Sequence, residues 1–285
     1  MKVLVLGATG MLGNATARVF AEESEHEVVA AARSWDAAKR FPEGMRATFV
    51  GGLDADNPET LVALMADHRP DVVINCVGVV KQLASASRVL DAVPINALLP
   101  HRLERLAALG GARLVHVSTD CVFSGNKGNY VETDKPDTYD LYGQSKLWGE
   151  VVDSPNAITL RTSIIGHELG SRNGLLNWFL AQQGTVKGFS RAIFSGLPTV
   201  ELARVIRDHV LPNPALHGLY HVSTAPIAKL DLLQMFAAEY GRDIDIVRDD
   251  ALVIDRSLDS TRFKSATGYR PGSWPEQIAA MRRFG

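Results

Sequence analysis

Tyr142 and Lys146 are the two residues whose types and spacing point most directly to chemistry. They stand four positions apart in the segment YGQSK. On a helix such residues share a face, so the Lys146 ammonium is expected near the Tyr142 phenol. A phenol titrates at about pH 10, and a nearby cation favours its ionised form, so we expect the pKa of Tyr142 to be lowered. Tyr142 is therefore a candidate general acid for a carbonyl oxygen, or a base for an alcohol.

The same spacing occurs by chance on many helix surfaces, so the surroundings of the pair decide. Upstream, the apolar run RLVHV leads into STDC, which includes Thr119 and Cys121. Side chains at the carboxyl end of a central strand are where open α/β sheets bind ligands. We expect the Thr119 hydroxyl to hydrogen-bond the substrate oxygen as negative charge develops on it. A covalent mechanism through Cys121 is a weaker alternative, because the neighbouring hydroxyls already have a role.

A glycine loop near the start predicts a dinucleotide. The segment GATGMLG follows the strand-like KVLVL and precedes the helix-like NATARVFAEE. Its glycines allow a tight turn and a close approach to a pyrophosphate, and the helix start supplies N–H donors. A plain glycine turn is the alternative for the motif alone. The predicted contacts here are Gly7, Thr9, Gly10, Met11, Leu12 and Gly13.

The ends of three later strands predict the rest of the cofactor site. Arg33 and Ser34 end the second strand, where a cation and a hydroxyl suit the 2′-phosphate of NADP(H), although NAD(H) stays open. Asp54 follows the third strand and is expected at the adenine end, or else as a helix N-cap. The fourth strand ends at Cys76, Val77 and Gly78. Tyr142 and Lys146 complete the predicted contacts, and Lys146 is expected to reach the nicotinamide ribose.

These motifs require a scaffold in which strands and helices alternate. From residue 2 to about residue 165, short β-branched runs alternate with helix-like segments, as in βαβ units. The pattern predicts an α/β fold, a doubly wound parallel sheet of the Rossmann type. We divide the chain into an NAD(P)-binding domain at 1–160 and a smaller α/β domain at 161–285. The second is mainly substrate-binding, and some of its segments are expected to return to the first.

Composition limits the classes of partner. The chain has 285 residues, 46% hydrophobic and 22% charged, with a formal net charge of −2. This charge gives no basis for nucleic acid or an anionic membrane as the main partner. The first glycine comes too early for a secretory signal, so we expect a cytoplasmic protein. The two cysteines form no framework and no metal motif is present, so no metal site is predicted.

Together these residues identify a family resemblance. The chain resembles the extended short-chain dehydrogenase/reductases, and within them the dTDP-4-dehydrorhamnose reductase group. The matching stretches keep the family's order: GATGMLG, STDCVFSG, VETDKPDTYDLYGQSKLWGE, LRTSIIG, GLPTVELARVI, GLYHVST and RSLDSTRFKSATGYRP. The resemblance implies reduction of the 4-keto group of a nucleotide-linked 6-deoxyhexulose by NAD(P)H, for polysaccharide precursor synthesis. Thr119, Tyr142 and Lys146 match the family's catalytic positions.

Two departures from the family concern the sugar. Cys121 stands where an aromatic residue is usual, and Ile164 stands where tryptophan is frequent. With Asp120, both are expected at the substrate. Smaller side chains there indicate extra room, so a UDP-linked N-acetylated hexose is an alternative substrate, unless the changes merely repack the cleft. Candidates for the phosphates or the base of this nucleotide sugar are Asn173, Lys187 and Arg191.

Three further possibilities stay open at this point. A sugar-nucleotide epimerase on the same fold would give no net NADPH consumption. A non-catalytic, NADP(H)-binding regulatory subunit is a third function, although this chain keeps the tyrosine, the lysine and the threonine. A homodimer is also compatible with the sequence.

Overall fold

The computed structural model describes residues 1–170 and 172–285. Its strands are β1 Lys2–Leu6, β2 Glu27–Ala31, β3 Ala47–Val50, β4 Val72–Asn75, β5 Arg113–Thr119, β6 Ala157–Thr162, β7 Ile164–Ile165, β8 Thr185–Phe189, β9 Ala192–Phe194, β10 Leu197–Pro198, β11 Gly218–His221, β12 Ile227–Ala228, β13 Asp245–Asp249 and β14 Ile254–Asp255. Its helices are α1 Met11–Glu22, α2 Pro58–His68, α3 Val89–Ala92, α4 Leu99–Gly110, α5 Leu141–Trp148, α6 Leu175–Leu180, α7 Thr199–Val205, α8 Lys229–Tyr240, α9 Thr261–Thr267 and α10 Trp274–Phe284.

A parallel sheet organises the fold. Within the described residues its seven strands run in the order β11-β6-β5-β4-β1-β2-β3. Leu6 pairs with both Ala31 and Asn75, so the carboxyl ends of β1, β2 and β4 lie level. Thr119 pairs with Thr162 at the corresponding end of β5 and β6. The predicted doubly wound α/β fold is confirmed, and the strand ends that carry the motifs share one edge.

Burial on both faces explains why the strands read as continuous apolar runs. In β1, Val3 and Val5 belong to one hydrophobic cluster, which includes Phe20 of α1. The alternate residues Leu4 and Leu6 belong to a second cluster, with side chains of α2 and α4. All four β1 side chains are at most 1% exposed. Helices therefore cover both faces of the sheet, as a parallel sheet requires.

The later part of the chain is interwoven with this sheet. The predicted strand AITLRTSII is interrupted at Ser163, between β6 and β7, and β11 forms an edge of the large sheet. Helix α7 packs on α1, where Glu23 pairs with Arg204 at 2.6 Å and Arg207 at 2.9 Å. The predicted domain boundary at residue 160 falls inside β6. The two-domain division therefore stays a prediction. Short strands form the remaining sheets: β10-β7, β12-β9-β14 and β13-β8.

A buried ion pair fixes the end of α5 against the sheet. Arg161 of β6 donates to Glu150 through Nε at 2.7 Å and Nη2 at 2.6 Å. Ser118 of β5 donates to the same carboxylate at 2.7 Å. Both charged side chains are 4% exposed, so the pair holds α5 at the carboxyl end of β5. Among the helices described, none has the length and apolar character needed to cross a bilayer.

Candidate active site

The glycine loop is built around close backbone contacts. A Cβ atom on Gly13 would lie 2.1 Å from the Gly7 carbonyl oxygen, so only glycine fits there. Gly7 has a φ of +77°, and a Cβ on it would lie 3.1 Å from the carbonyl carbon of Cys76 and from Val77 Cγ2. The loop therefore lies on the end of β4, which brings two predicted cofactor segments together.

The loop fits the pyrophosphate of a dinucleotide. Gly10 precedes α1, and no side chain of the described chain caps the first N–H groups of this helix. Those donors and the helix dipole favour an anion. The side chains of Thr9 and Met11 are half-buried and Leu12 is buried, so the backbone of this turn forms the contact surface. Gly78, beyond β4, is exposed.

Arg33 and Ser34 lie exposed where β2 ends. Arg33 has no ion-pair partner among the residues that the structure describes, so its guanidinium is available to an anion such as a 2′-phosphate. Asp54 is also exposed, and its Oδ1 accepts from the Asp56 N–H at 3.1 Å. The alternative that Asp54 caps a helix is wrong, because Asn57 caps α2 by accepting from Glu59.

The YGQSK segment forms α5, and Asp140 begins it. The Asp140 carboxylate accepts from the Gly143 N–H at 2.8 Å and from Lys81 at 2.7 Å. Thr119, at the end of β5, accepts from the Cys121 N–H at 3.1 Å and donates to Asp120 at 3.2 Å. The Thr119 hydroxyl also lies near the Tyr142 phenol, where it opposes the rise of the phenol's pKa. Two of the three predicted catalytic groups therefore meet at the carboxyl end of β5.

The predicted lowering of the Tyr142 pKa is wrong for this structure. Burial raises the pKa of Tyr142, and the neighbouring Cys121 and Asp120 add to the rise, while the Thr119 hydroxyl opposes it. Desolvation of a phenolate outweighs one favourable contact. Tyr142 is consequently protonated at neutral pH, the form that a general acid needs.

Lys146 is buried beside the same strand. Its Nζ donates to the Val117 carbonyl oxygen at 2.8 Å. Burial lowers the pKa of Lys146 to about 8, although Glu150 and Cys76 favour the charged form. The spacing thus places both residues on α5, but the lysine is held by β5 and does not lower the pKa of the phenol.

Asn96 links the cofactor segment to the catalytic helix. It lies buried in a π-helical stretch, Val93–Leu98, that connects α3 to α4. Its Oδ1 accepts from the Val79 N–H at 2.9 Å, and its Nδ2 donates to Ser145 of α5 at 3.2 Å. Asn96 thereby fixes the distance between the end of β4 and α5.

Two cations that sequence reasoning missed face the predicted substrate residues Asp120 and Cys121. Lys229 begins α8, and Arg256 follows β14 and donates through Nε to the Phe123 carbonyl oxygen at 2.7 Å. Both act electrostatically on Asp120. Neither is ion-paired within residues 1–170 and 172–285. We call Lys229 and Arg256 the cation pair. No local motif predicted them, because they lie over 100 residues from Asp120 in sequence.

Burial also determines the chemistry of the Asp120 carboxyl group and of the Cys121 thiol. It raises the pKa of Asp120, which Arg256 partly offsets. It raises the pKa of the Cys121 thiol to about 12, with a further contribution from Asp120. A thiol in this state is a poor nucleophile at neutral pH. The arrangement therefore favours acid–base chemistry over a covalent mechanism.

The other predicted substrate residues are more dispersed. Ile164 of β7 is half-buried against the main hydrophobic cluster. Asn173 is exposed, next to Gly174, where a Cβ atom would lie 2.7 Å from the Met11 side chain at the start of α1. Lys187 is exposed and pairs with Asp249 at 3.1 Å, and Arg191 is exposed between β8 and β9. Within residues 1–170 and 172–285, no hydrogen bond or ion pair joins Lys187 or Arg191 to Tyr142, so their roles stay predictions.

Comparison with known proteins agrees with the strand order and the placement of the motifs. The family pattern of the RmlD substrate binding domain matches residues 1–249, which include the glycine loop, Thr119 and α5. The chain belongs to the RmlD family. The predicted resemblance is thereby confirmed.

Relatives of this RmlD-family chain include proteins named as reductases and as subunits of another enzyme. A dTDP-4-dehydrorhamnose reductase from Aggregatibacter actinomycetemcomitans is 25% identical over 309 residues, covering 99% of each chain. Methionine adenosyltransferase 2 subunit beta from Xenopus tropicalis is 29% identical over 241 residues, covering 78% of this chain and 66% of that one. Among solved structures, dTDP-4-dehydrorhamnose reductase from Bacillus anthracis in complex with NADP shares the fold, with a TM-score of 0.79, 20% identity and coverage of 99% and 98%.

Proposed function

We propose that this RmlD-family chain is an NADPH-dependent reductase of the 4-keto group of a nucleotide-linked 6-deoxyhexulose. The observation that carries the proposal is the placement of Thr119 at the carboxyl end of β5, with Tyr142 and Lys146 on α5 and the Lys146 ammonium bonded to Val117 of β5. The full-length relative named as a dTDP-4-dehydrorhamnose reductase supports the substrate class. The NADP complex of a structural neighbour supports NADPH over NADH, as does Arg33, which has no ion-pair partner among the described residues. NADH is the alternative cofactor.

The chain's own residues supply acid catalysis and orientation. When bound, NADPH supplies the hydride. Tyr142, protonated because burial raises its pKa, donates its proton to the carbonyl oxygen. The Thr119 hydroxyl, which donates to Asp120 in this structure, would turn to donate to that oxygen as its negative charge grows. Lys146 would hold the cofactor ribose and supply positive charge close to the developing anion. The glycine loop and Arg33 would hold the pyrophosphate and the 2′-phosphate.

The deciding experiment combines a substrate panel with one tyrosine variant. Purified protein is incubated with NADPH and with dTDP- or UDP-linked 4-keto-6-deoxyhexoses, and cofactor oxidation and product configuration are measured. We expect Tyr142→Phe to lower kcat by about a hundredfold or more, the contribution of a positioned general acid. NADPH affinity should change little, because the phenyl ring remains. Tyr139, which is 90% exposed three residues earlier, provides the control, and Tyr139→Phe should keep the parent rate. Reduction by Tyr142→Phe at the parent rate would refute the mechanism.

A regulatory role is the second candidate, because one group of relatives is named as a subunit of methionine adenosyltransferase. Retention of Thr119, Tyr142 and Lys146 in one site favours the reductase. The same assay separates the functions: a regulatory subunit binds NADPH without oxidising it, and an epimerase changes the sugar without net NADPH consumption.

The finer features of the function are also proposals. The small Cys121 and Ile164 side chains leave a UDP-linked N-acetylated sugar as an alternative substrate, which the panel includes. We place the enzyme in polysaccharide precursor synthesis in the cytoplasm. A homodimer is supported by two exposed apolar side chains, Leu98 just before α4 and Trp148 of α5. The molecular mass in solution tests it.

A further inference from the structure

Trp35 is an exposed aromatic residue beside the predicted cofactor site. It follows Arg33 and Ser34, directly beyond the carboxyl end of β2. It is 82% exposed, although it is the largest kind of apolar side chain. A single exposed apolar residue is ordinary on a protein surface, so exposure alone assigns no role to this ring. The surroundings of this ring show what it would bind.

One face of the indole rests on a seat made of glycine. Gly51 and Gly52 directly follow β3. A Cβ atom on Gly51 would lie 2.5 Å from Trp35 Cα and 2.9 Å from its Cε3, and one on Gly52 would lie 2.4 Å from Cζ2. Gly52 also has a φ of +74°, which other residues rarely adopt. Two successive glycines thus let the ring lie flat on the backbone, with its other face open.

The seat is joined to the end of β2 by backbone hydrogen bonds. The Gly52 N–H donates to the Arg33 carbonyl oxygen at 3.2 Å, and the Leu53 N–H donates to the Ala32 carbonyl oxygen at 3.1 Å. The ring is therefore attached to the strand end that carries Arg33. In a doubly wound sheet, the dinucleotide lies across the carboxyl ends of the strands, with its pyrophosphate at the first βα turn. Its adenosine half then lies toward β2 and β3, where Trp35 stands.

We propose that Trp35 is an aromatic platform on which the adenine ring of the cofactor stacks, beside an Arg33 that binds the 2′-phosphate. The proposal rests on the proposed function, because it takes an NADP-type dinucleotide as the ligand. A purine is the appropriate partner, since it is planar, stacks on aromatic faces and would cover the open side of the indole. The platform adds affinity without making base-specific hydrogen bonds.

The test uses adenosine 2′,5′-bisphosphate, which has the adenine and the 2′-phosphate but no nicotinamide. Its dissociation constant is measured by calorimetry for the parent and for Trp35→Ala and Trp35→Phe. We expect Trp35→Ala to weaken binding by about five- to tenfold, in the lower part of the range for base–aromatic stacking. Trp35→Phe should recover most of the affinity, because it keeps a stacking face. Leu109→Ala, which removes an equally exposed apolar side chain at the far end of α4, should bind like the parent.

A double-mutant cycle tests the glycine seat. Gly52→Ala should displace the indole and weaken binding of the bisphosphate to a similar degree as Trp35→Ala. In the Trp35→Ala background the same glycine change should have little further effect on binding, although it still strains the backbone. Thermal unfolding of each variant checks that the fold is retained. Equal, independent losses in the two backgrounds would overturn the proposed seat.

The outcomes distinguish this proposal from the proposed function. If Trp35→Ala binds the bisphosphate as the parent does, the platform is overturned and the reductase proposal stands. If binding depends on Trp35 while no 4-keto sugar is reduced, the platform is supported and the reductase proposal fails. If the parent binds no adenine nucleotide, both are overturned.

Discussion

At the residue scale, the charge of Lys146 determines how the reductase rate should depend on pH. Burial keeps Tyr142 protonated, so the lysine is not needed to keep this general acid in its protonated form. Its positive charge instead stabilises the anion that develops on the substrate oxygen during reduction. The burial that helps Tyr142 works against Lys146, because it disfavours the ammonium.

We therefore expect the reductase rate to fall at alkaline pH. The pKa of Lys146 lies at about 8. Below this pH the side chain is charged, and as the pH rises through it the charge is lost and kcat should decline. Cys76 and Cys121 do not interfere, because burial raises the pKa of each to about 12. Initial rates with saturating substrate and NADPH across this range measure the effect.

Lys146→Arg is the matched variant for the pH profile. A guanidinium stays charged throughout the accessible range, so the decline should move to higher pH even if the maximum rate is reduced. An unchanged decline in the arginine variant would assign the titration to another group.

The spacing of Tyr142 and Lys146 predicted their local geometry but not the electrostatics of the site. The four-residue interval of Tyr142 and Lys146 correctly predicted a shared helix, because that interval is local geometry. It failed for the direction of the Tyr142 pKa, which depends on burial and on Cys121 and Asp120 nearby. Desolvation is a property of the assembled fold, so a local pattern contains no measure of it.

At the element scale, the glycines of the loop meet two different requirements, internal packing and close approach to a ligand. The sequence motif alone does not distinguish them. Gly13 is needed for packing, since its Cβ would collide with the Gly7 carbonyl oxygen at 2.1 Å. Gly10 meets only that same atom, at 3.3 Å, so an alanine there is nearly tolerated by the protein itself. Its role would be to let the backbone approach the pyrophosphate.

We expect the two alanine variants to fail in different ways. Gly13→Ala should lower the free energy of unfolding by about 1–3 kcal/mol, as overpacking does. Gly10→Ala should keep most of that stability but weaken NADPH binding by about tenfold, which is about 1.4 kcal/mol. Denaturant unfolding and cofactor titration measure the two effects. Identical behaviour of both variants would contradict the separation.

Elements were predictable where their signals are local, and less so where distant contacts place them. The strand–glycine–helix order of residues 2–22 predicted β1, the loop and α1 directly. The position of α5 depends on Arg161 with Glu150, and on Asn96 with Ser145, contacts that span 11 and 49 positions. The break at Ser163 was not visible, because AITLRTSII is rich in β-branched residues on both sides of it and contains neither glycine nor proline.

At the scale of the whole molecule, the site combines groups from both halves of the chain. Thr119 and Asp120 come from the end of β5, whereas Lys229 and Arg256 reach them from α8 and from beyond β14. Sequence reasoning sought cations for a di-anionic substrate and selected Lys187 and Arg191. The charge of these two residues was suitable, but only the folded arrangement shows which cations face the end of β5.

The cation pair should carry the binding of the anionic nucleotide sugar. Lys229→Met and Arg256→Met are each expected to raise the KM for the sugar nucleotide by about tenfold or more, the value of a charge-assisted hydrogen bond. The KM for NADPH should stay near that of the parent. Lys187→Met is the matched control, since this lysine is 75% exposed and already paired with Asp249, and it should change the substrate KM by less than about fivefold. Initial-rate kinetics with each substrate varied in turn measure these effects. The prediction would be contradicted if Lys187→Met had a large effect and neither Lys229→Met nor Arg256→Met had one. That result would place the phosphate site at the residues first selected from sequence, near β8 and β13.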